Sequence, residues 1–226
     1  MSLFKIFPAF LCFIFSSFVF TSELKNNESD IEKISSKIMT KYRQTNLVEI
    51  NVQKTIHSEW KTKDQVSEGK IFYSKGKFRW ENTIPEKSWV VYNGNILWNI
   101  QFSNPDFPGK NKVTKSIINK KNRDQILLMS LIDMKSLTEK FFIDKNKKLS
   151  SEDILVIDLE PIEKDQSVQN LKITMNIKTN QINEISFADD IGNKTTILFK
   201  DNKFLNKKIK NKFEYSPSKN DEVTQI

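Results

Sequence analysis

The sequence predicts a mainly β protein of α+β composition, with a single, strongly curved antiparallel sheet of about 11 strands, an N-terminal helix and an internal apolar helix. Three observations predict it. From Val48 onward, many short segments alternate apolar and polar residues, the two-residue period of a half-buried strand. Polar turns such as Asn93-Gly94 separate these segments and favour hairpins. Two further segments place apolar residues at helical spacing.

The N-terminus has the three regions of a secretory signal peptide. Lys5 precedes an apolar run that ends at Phe20, and small polar residues follow it. A membrane anchor is the alternative, but Pro8 interrupts the run, which is shorter than the roughly 20 residues that cross a bilayer core. We expect residues 1–22 to be a signal peptide and residues 23–226 to form one domain.

The only cysteine, Cys12, lies in that apolar run. It lacks the small residue before it that bacterial lipoprotein processing requires, so we expect a mature protein with neither a lipid anchor nor a disulfide. The formal net charge is +8, and the lysines are spread along the whole chain. Because an exported protein meets little nucleic acid, we interpret these lysines as solvated surface and expect no nucleic-acid partner.

The predicted elements follow in chain order. A capping box from Ser29 to Glu32 begins a helix that ends near Tyr42 to Thr45. The first strand begins at Val48 and carries Trp60 on its apolar parity. The remaining strands are predicted at residues 69–74, 77–81, 88–93, 95–102, 141–144, 154–161, 170–177, 182–189, 195–201 and 213–216.

Two segments between these strands are of other kinds. After Val113 the chain KSIINKKNR is interpreted as a basic connector. Residues 124–137 contain eight apolar side chains over more than one helical stripe, which predicts an apolar helix.

Patterns of catalysis and metal binding are missing. His57 is the only histidine, so H-E-x-x-H zinc sites are excluded and a Ser-His-Asp triad depends on His57 alone. The five glycines form no phosphate-binding loop, and Asp189-Asp190 lacks the ligand spacing of a calcium loop. The sequence therefore predicts no catalytic residue, no metal and no cofactor, and it favours a binding protein over an enzyme.

Three of the four tryptophans are spaced nine residues apart in the segment GKFRWENTIPEKSWVVYNGNILWNI. Strand parity lets this segment present an aromatic wall on one side of the sheet. One interpretation is an ordinary core sealed by the helix at 124–137, and the other is a lipid-sized cavity that this helix covers. The residues predicted to line the cavity are Phe78, Trp80, Trp89, Val91, Ile96, Trp98, Ile100, Leu127, Leu128 and Leu131.

The order of several short motifs resembles the LolA family of periplasmic outer-membrane lipoprotein carriers. The N-terminal half supplies Gly69-x-Ile71-x-Tyr73, Gly76-Lys77-Phe78-Arg79-Trp80-Glu81, Pro85 and Asn93-Gly94-Asn95-x-Leu97-Trp98. The C-terminal half supplies Asp189-x-Ile191-Gly192-Asn193-x-Thr195 with Phe199, then Phe213-x-Tyr215-x-Pro217 and Asp221-x-Val223. The likeness spans about residues 29–224.

This resemblance implies an unclosed, strongly curved antiparallel half-barrel that is covered by the N-terminal helix and by an internal apolar lid helix. The protein would be a monomeric periplasmic carrier of lipoprotein acyl chains that makes and breaks no bond. It also implies an inner-membrane ABC-type lipoprotein-releasing complex as the donor and an outer-membrane lipoprotein receptor as the acceptor. In the family an arginine before the glycine that matches Gly76 holds the lid, and here Lys75 takes that place, with Arg79 as a second candidate on the opposite strand parity.

Two other functions stay open at this stage. One is a periplasmic lipid-binding, glycolipid-binding or envelope-sensing module of the same fold. The other is an exported hydrolase, which would need His57 to activate a nucleophile.

Overall fold

The structure is a computed structural model that describes residues 28–119, 141–143, 149–151, 153–162, 168–207 and 209–226. It begins with helix α1 (Glu28–Gln44). The helix starts at the predicted capping box and ends within two residues of the predicted end. Its apolar side buries Ile38, Met39 and Tyr42, which follow one another at the spacing of a single helix face.

The described chain then forms one sheet of thirteen strands. These are β1 (Leu47–His57), β2 (Gln65–Ser74), β3 (Lys77–Ile84), β4 (Ser88–Tyr92), β5 (Ile96–Gln101), β6 (Asn111–Ile117), β7 (Phe141–Ile143), β8 (Leu149–Ser151), β9 (Ile154–Pro161), β10 (Gln169–Asn176), β11 (Gln181–Ala188), β12 (Lys194–Leu205) and β13 (Asp221–Gln225).

The strand order is β13-β6-β5-β4-β3-β2-β1-β12-β11-β10-β9-β7, and β8 pairs with β9. Neighbouring strands are antiparallel except β13, which runs parallel to β6. In the described part of the chain the two end strands, β13 and β7, do not pair with each other. The architecture is therefore the predicted unclosed, strongly curved half-barrel. The predicted lid helix at 124–137 lies outside the described residues.

Ten of the eleven predicted strands are present, with ends that differ by a few residues. The first part of the predicted connector is a strand instead: Asn111–Ile117 is strand β6. Its lysines misled the prediction, yet exposed lysines suit a strand near the edge of a sheet. Residues 213–216 are not a strand, and β13 follows five residues later at Asp221.

Trp60 is a further correction. It was predicted on the apolar side of the first strand, but β1 ends at His57 and Trp60 is 86% exposed in the loop that follows. Alternation alone does not mark where a strand ends, because a loop residue can continue the same parity by chance.

Gly69 marks a close approach between two strands. The pairing of β2 with β3 shifts register between Glu68 and Gly69, and a Cβ at Gly69 would collide with the carbonyl oxygen of Glu81. Only glycine fits where two backbones meet this closely, and such irregularities bend and twist a sheet.

Candidate functional site

The larger of the two buried apolar clusters in the described residues lies on the face of the sheet that α1 covers, called the inner face below. Its buried residues come from β1 to β4, from β7 and from β9 to β12, and they pack with Ile38, Met39 and Tyr42 of α1. Because alternate residues of a strand point to opposite faces, each strand contributes every second side chain. The members from β9 to β12 are Leu155, Ile157, Leu159, Leu171, Ile173, Met175, Ile182, Ile185, Ile197 and Phe199.

Two of the predicted cavity residues lie on this inner face. Phe78 is buried in the cluster, and Trp80 packs against it half-buried. Phe78 pairs across the strands with Tyr92, and their ring centroids are 5.8 Å apart. Trp80 pairs with Val90, which is also half-buried against the inner cluster.

Five predicted cavity residues lie on the opposite face, called the outer face below. Val91, Trp98 and Ile100 form a separate buried cluster, against which Trp89 and Ile96 pack. The expectation that all seven strand residues form one wall is wrong. The remaining three, Leu127, Leu128 and Leu131, lie outside the described residues.

The reason for the split is the register between β3 and β4. Trp80 stands opposite Val90, so the odd-numbered Trp89 and Val91 point away from Trp80. Val91 in turn stands opposite Trp98, which keeps Trp98 on the outer face. The prediction is correct about which residues of each strand share a face. It is wrong about which face of β4 continues that of β3 after the Pro85 turn.

The outer cluster is sealed by the chain's own C-terminal segment. Tyr215 lies against Trp98, with ring centroids 5.6 Å apart. The Arg79 guanidinium stacks 3.8 Å from the Trp89 ring centroid and donates to the Lys212 carbonyl at 3.3 Å. The C-terminal segment therefore covers the outer cluster through both ring and polar contacts.

Sequence reasoning missed most of the inner face. The alternation within residues 154–199 predicts strands, and the same alternation indicates which of their side chains are buried. Tyr42 was also missed as a functional group. Its hydroxyl accepts from the Ile182 N–H at 2.9 Å and donates to Asn202 Oδ1 at 3.1 Å, and burial raises its pKa.

Two polar groups on the inner face have neither a hydrogen-bond partner nor an ion-pair partner among the described residues. The buried Trp80 Nε1 has none. Lys54 pairs with Ile197 of the inner cluster, and burial lowers its pKa. The Lys54 Nζ lies 5.8 Å from the Trp80 ring centroid.

Lys75 lies in the β2–β3 turn. It is exposed and has a φ of 46°, followed by Gly76 with a φ of 82°. The helix that it was predicted to contact lies outside the described residues, so its lid contact stays a prediction. Arg79, the other candidate, is committed to the outer face through Glu81 Oε1 at 2.6 Å.

The chemistry available to an enzyme is sparse in the described residues. His57 is exposed, and its Nδ1 lies 2.8 Å from Asp64 Oδ1. The described part of the chain has no group of three His, Cys, Asp or Glu side chains that could hold a metal ion. Helix α1 is neither long nor apolar enough to cross a membrane, and no other described helix is.

Comparisons with solved structures find similar chains, among them these three. An uncharacterized conserved protein from Thermus thermophilus is 11% identical, with a TM-score of 0.51 over 88% of this chain and 98% of that one. A LolA superfamily protein from Nitrosomonas europaea is 13% identical, with a TM-score of 0.41 over 80% and 97%. A chain of the Pseudomonas aeruginosa MucA/MucB complex is 9% identical, with a TM-score of 0.45 over 83% and 61%.

Identities this low bear on the fold alone. A comparison with curated protein sequences finds no match. A family profile is more specific: that of the outer membrane lipoprotein carrier protein LolA matches residues 43–216, which run from the end of α1 to the segment that seals the outer face. The chain therefore belongs to the LolA family of periplasmic carrier proteins.

Proposed function

We propose that this protein is a periplasmic carrier that shields lipoprotein acyl chains on its inner face and moves them from the inner to the outer membrane. The observation that carries the proposal is the inner face itself. It is an apolar surface drawn from nine strands, and its cover in the described chain is a single amphipathic helix. Family membership supports the same function.

The physical need for such a surface follows from the cargo. Each acyl methylene hidden from water contributes roughly 0.8 kcal/mol, so an exposed lipid anchor does not cross an aqueous compartment. A bare apolar face of this size would aggregate when empty. A helical cover meets both conditions, because opening it exchanges helix contacts for acyl-chain contacts of a similar kind.

The cargo site in this proposal includes Phe78 and Trp80 with their inner-face neighbours Tyr92 and Val90. Leu127, Leu128 and Leu131 are proposed to lie on a second cover, and Lys75 to contact it. Trp89, Val91, Ile96, Trp98 and Ile100 are left out, because the C-terminal segment already covers their face. An ABC-type releasing complex and an outer-membrane receptor are the proposed partners of the carrier.

The test is mass spectrometry of what co-purifies with the mature protein from its own envelope. We expect triacylated lipoproteins. Protein that is empty under conditions that preserve the cargo of a known carrier would contradict the proposal. Glycolipids alone, without lipoprotein, would favour the lipid-binding or envelope-sensing alternative.

A matched pair of variants locates the cargo. Leu97 and Ile96 are adjacent in β5, both half-buried, and lie on the inner and outer faces respectively. Leu97→Lys should abolish co-purification of cargo, whereas Ile96→Lys should retain it in whatever protein folds. Equal loss in both variants would contradict the assignment of cargo to the inner face.

A further inference from the structure

One end of the inner face opens into a groove of about 470 Å³ between β1, β2, β3 and the start of β4. The apolar side chains Ile56 and Ile84 line it together with the polar side chains Ser67, Asn82 and Ser88. Asn82 Nδ2 already donates to the Ser88 hydroxyl at 3.0 Å. The groove therefore joins an apolar face to a polar rim, which is the profile of a ligand with a hydrocarbon chain and a polar head.

Lys54 supplies the positive charge of this groove. It stands opposite Ser67 of β2 and Ile197 of β12, so its side chain extends along the inner face. Burial without a counter-ion lowers the pKa of Lys54. In the described residues its ammonium group makes neither a hydrogen bond nor an ion pair.

The acidic residues of the groove are engaged elsewhere. Asp64 Oδ1 lies 2.8 Å from His57 Nδ1, and Glu86 Oε2 accepts from Gln101 Nε2 at 3.4 Å. Both are exposed. Lys54 is therefore a half-buried cation that forms no ion pair with either acidic residue of its groove.

Trp80 supplies a second donor beside Lys54. Its Nε1 is fully buried and has no hydrogen-bond partner, the one such side-chain atom among the described residues. A buried donor of this kind costs free energy unless something accepts from it. The ring that carries it is the one nearest to the Lys54 ammonium, at 5.8 Å from its centroid.

We propose that Lys54 and Trp80 form a head-group subsite that binds the oxygen atoms at the head of an acyl chain whose tail lies on the inner face. The subsite rests on the proposed carrier function and adds to it a site for the polar end of the cargo. An ammonium group offers three donors and an indole one. The ligand chemistry is an acyl oxygen acceptor, either the carboxylate of a free fatty acid or the ester carbonyl of a glycerolipid anchor.

Binding of palmitate and of methyl palmitate to the purified mature protein tests the subsite and separates the two sources. The variants are Lys54→Met, which keeps the aliphatic stem, and Trp80→Phe, which keeps a ring but removes the N–H. Lys200→Met is the matched control, because it removes one lysine that pairs with Glu68 outside the groove. Unfolding curves establish that each variant is folded.

We expect Lys54→Met to weaken palmitate binding by about ten- to hundredfold, the range of a lost hydrogen bond to a charged group. Trp80→Phe should weaken it by a smaller factor, and Lys200→Met should leave it unchanged. A loss confined to palmitate identifies a carboxylate ligand, and a similar loss for the methyl ester identifies a carbonyl ligand.

Three results would overturn the subsite. If both variants bind both probes as the wild type does, the subsite is wrong and the carrier function stands. If Lys200→Met loses as much affinity as Lys54→Met, the effect belongs to net charge. If the wild type binds neither probe, the acyl-binding function itself fails, and the subsite fails with it.

Discussion

The inner and outer faces of β3 to β5 are built from the same kinds of residue and differ in what covers them. Both carry large aromatic side chains, with Phe78 opposite Tyr92 on the inner face and Trp98 opposite Val91 on the outer face. The outer rings lie under the chain's own C-terminal segment. The inner rings belong to the cluster that packs with helix α1.

The two covers differ in how far polar contacts hold them. The C-terminal segment is fixed by charged contacts, since Arg79 donates to the Lys212 carbonyl and Lys212 Nζ lies 3.0 Å from Glu81 Oε1. Helix α1 packs mainly through Ile38 and Met39, with polar bonds from its last turn at Lys41 and Tyr42. Apolar contacts are exchangeable for those of a lipid, and directional polar contacts are not. An aromatic cluster is thus a candidate cargo site only when its cover is exchangeable.

The largest loss of unfolding free energy is expected from Trp98→Ala on the outer face. Trp98 is 8% exposed, and removing a buried ring of this size costs about 3–5 kcal/mol of unfolding free energy. Urea denaturation measures the loss. The folded variant should bind an acyl probe with unchanged affinity, and a loss of affinity without a loss of stability would contradict the division between the faces.

A middle-sized effect is expected from Tyr42→Phe on the inner face. The change leaves the buried Ile182 N–H without the phenol oxygen that lies 2.9 Å away. Leaving a buried donor unpaired costs about 1–3 kcal/mol. The same denaturation measurement applies, and a change below about 0.5 kcal/mol, the usual effect of a surface substitution, would show that Tyr42 does not tie α1 to the sheet.

The smallest effect on stability is expected from the ionisation of Asp221, which lies in the segment that covers the outer face. Hydrogen bonds, the first from Ser218 and others from Asn111 and Tyr215, hold the pKa of Asp221 below its usual range. A depressed carboxyl pKa contributes stability that is present above the unfolded value of about 3.9 and is lost as pH falls through the folded value.

Comparing the wild type with Asp221→Asn between pH 7 and pH 2 tests this contribution. The wild type should be the more stable at neutral pH, and the difference should shrink once the pH falls below about 4. A difference that stays constant with pH would mean that the charge of Asp221 does not hold β13 and the C-terminal segment.

Sequence patterns predicted the elements well because each element depends on local periodicity. Alternation located ten strands, and the capping box at Ser29 located the start of α1. Strand β6 was hidden because Lys112 and Lys115 made it look like a solvated connector. The trailing β13 pairs in parallel with β6, a long-range partnership that local alternation does not encode.

The candidate site was predicted only in part, for a related reason. Parity along one strand states which residues share a face, but the face itself is set by register with the next strand. The prediction that Phe78 and Trp80 share a face is correct. Trp89 and Trp98 were predicted on that same face, but the register between β3 and β4 after the Pro85 turn places them on the other one. No sequence pattern distinguishes Lys54 from the other lysines, because the absence of an ion pair depends on its neighbours in three dimensions.

The tryptophans that exposed this error also provide the most direct test of the account. Two single-tryptophan proteins, one retaining Trp80 and one retaining Trp98 with the others changed to Phe, would be titrated with a fatty acid brominated along its chain. Bromine quenches indole fluorescence at close range. If the acyl chain lies on the inner face, Trp80 should be strongly quenched and Trp98 only slightly. Quenching of Trp98 with Trp80 unaffected would place the acyl chain on the outer face and contradict the central claim.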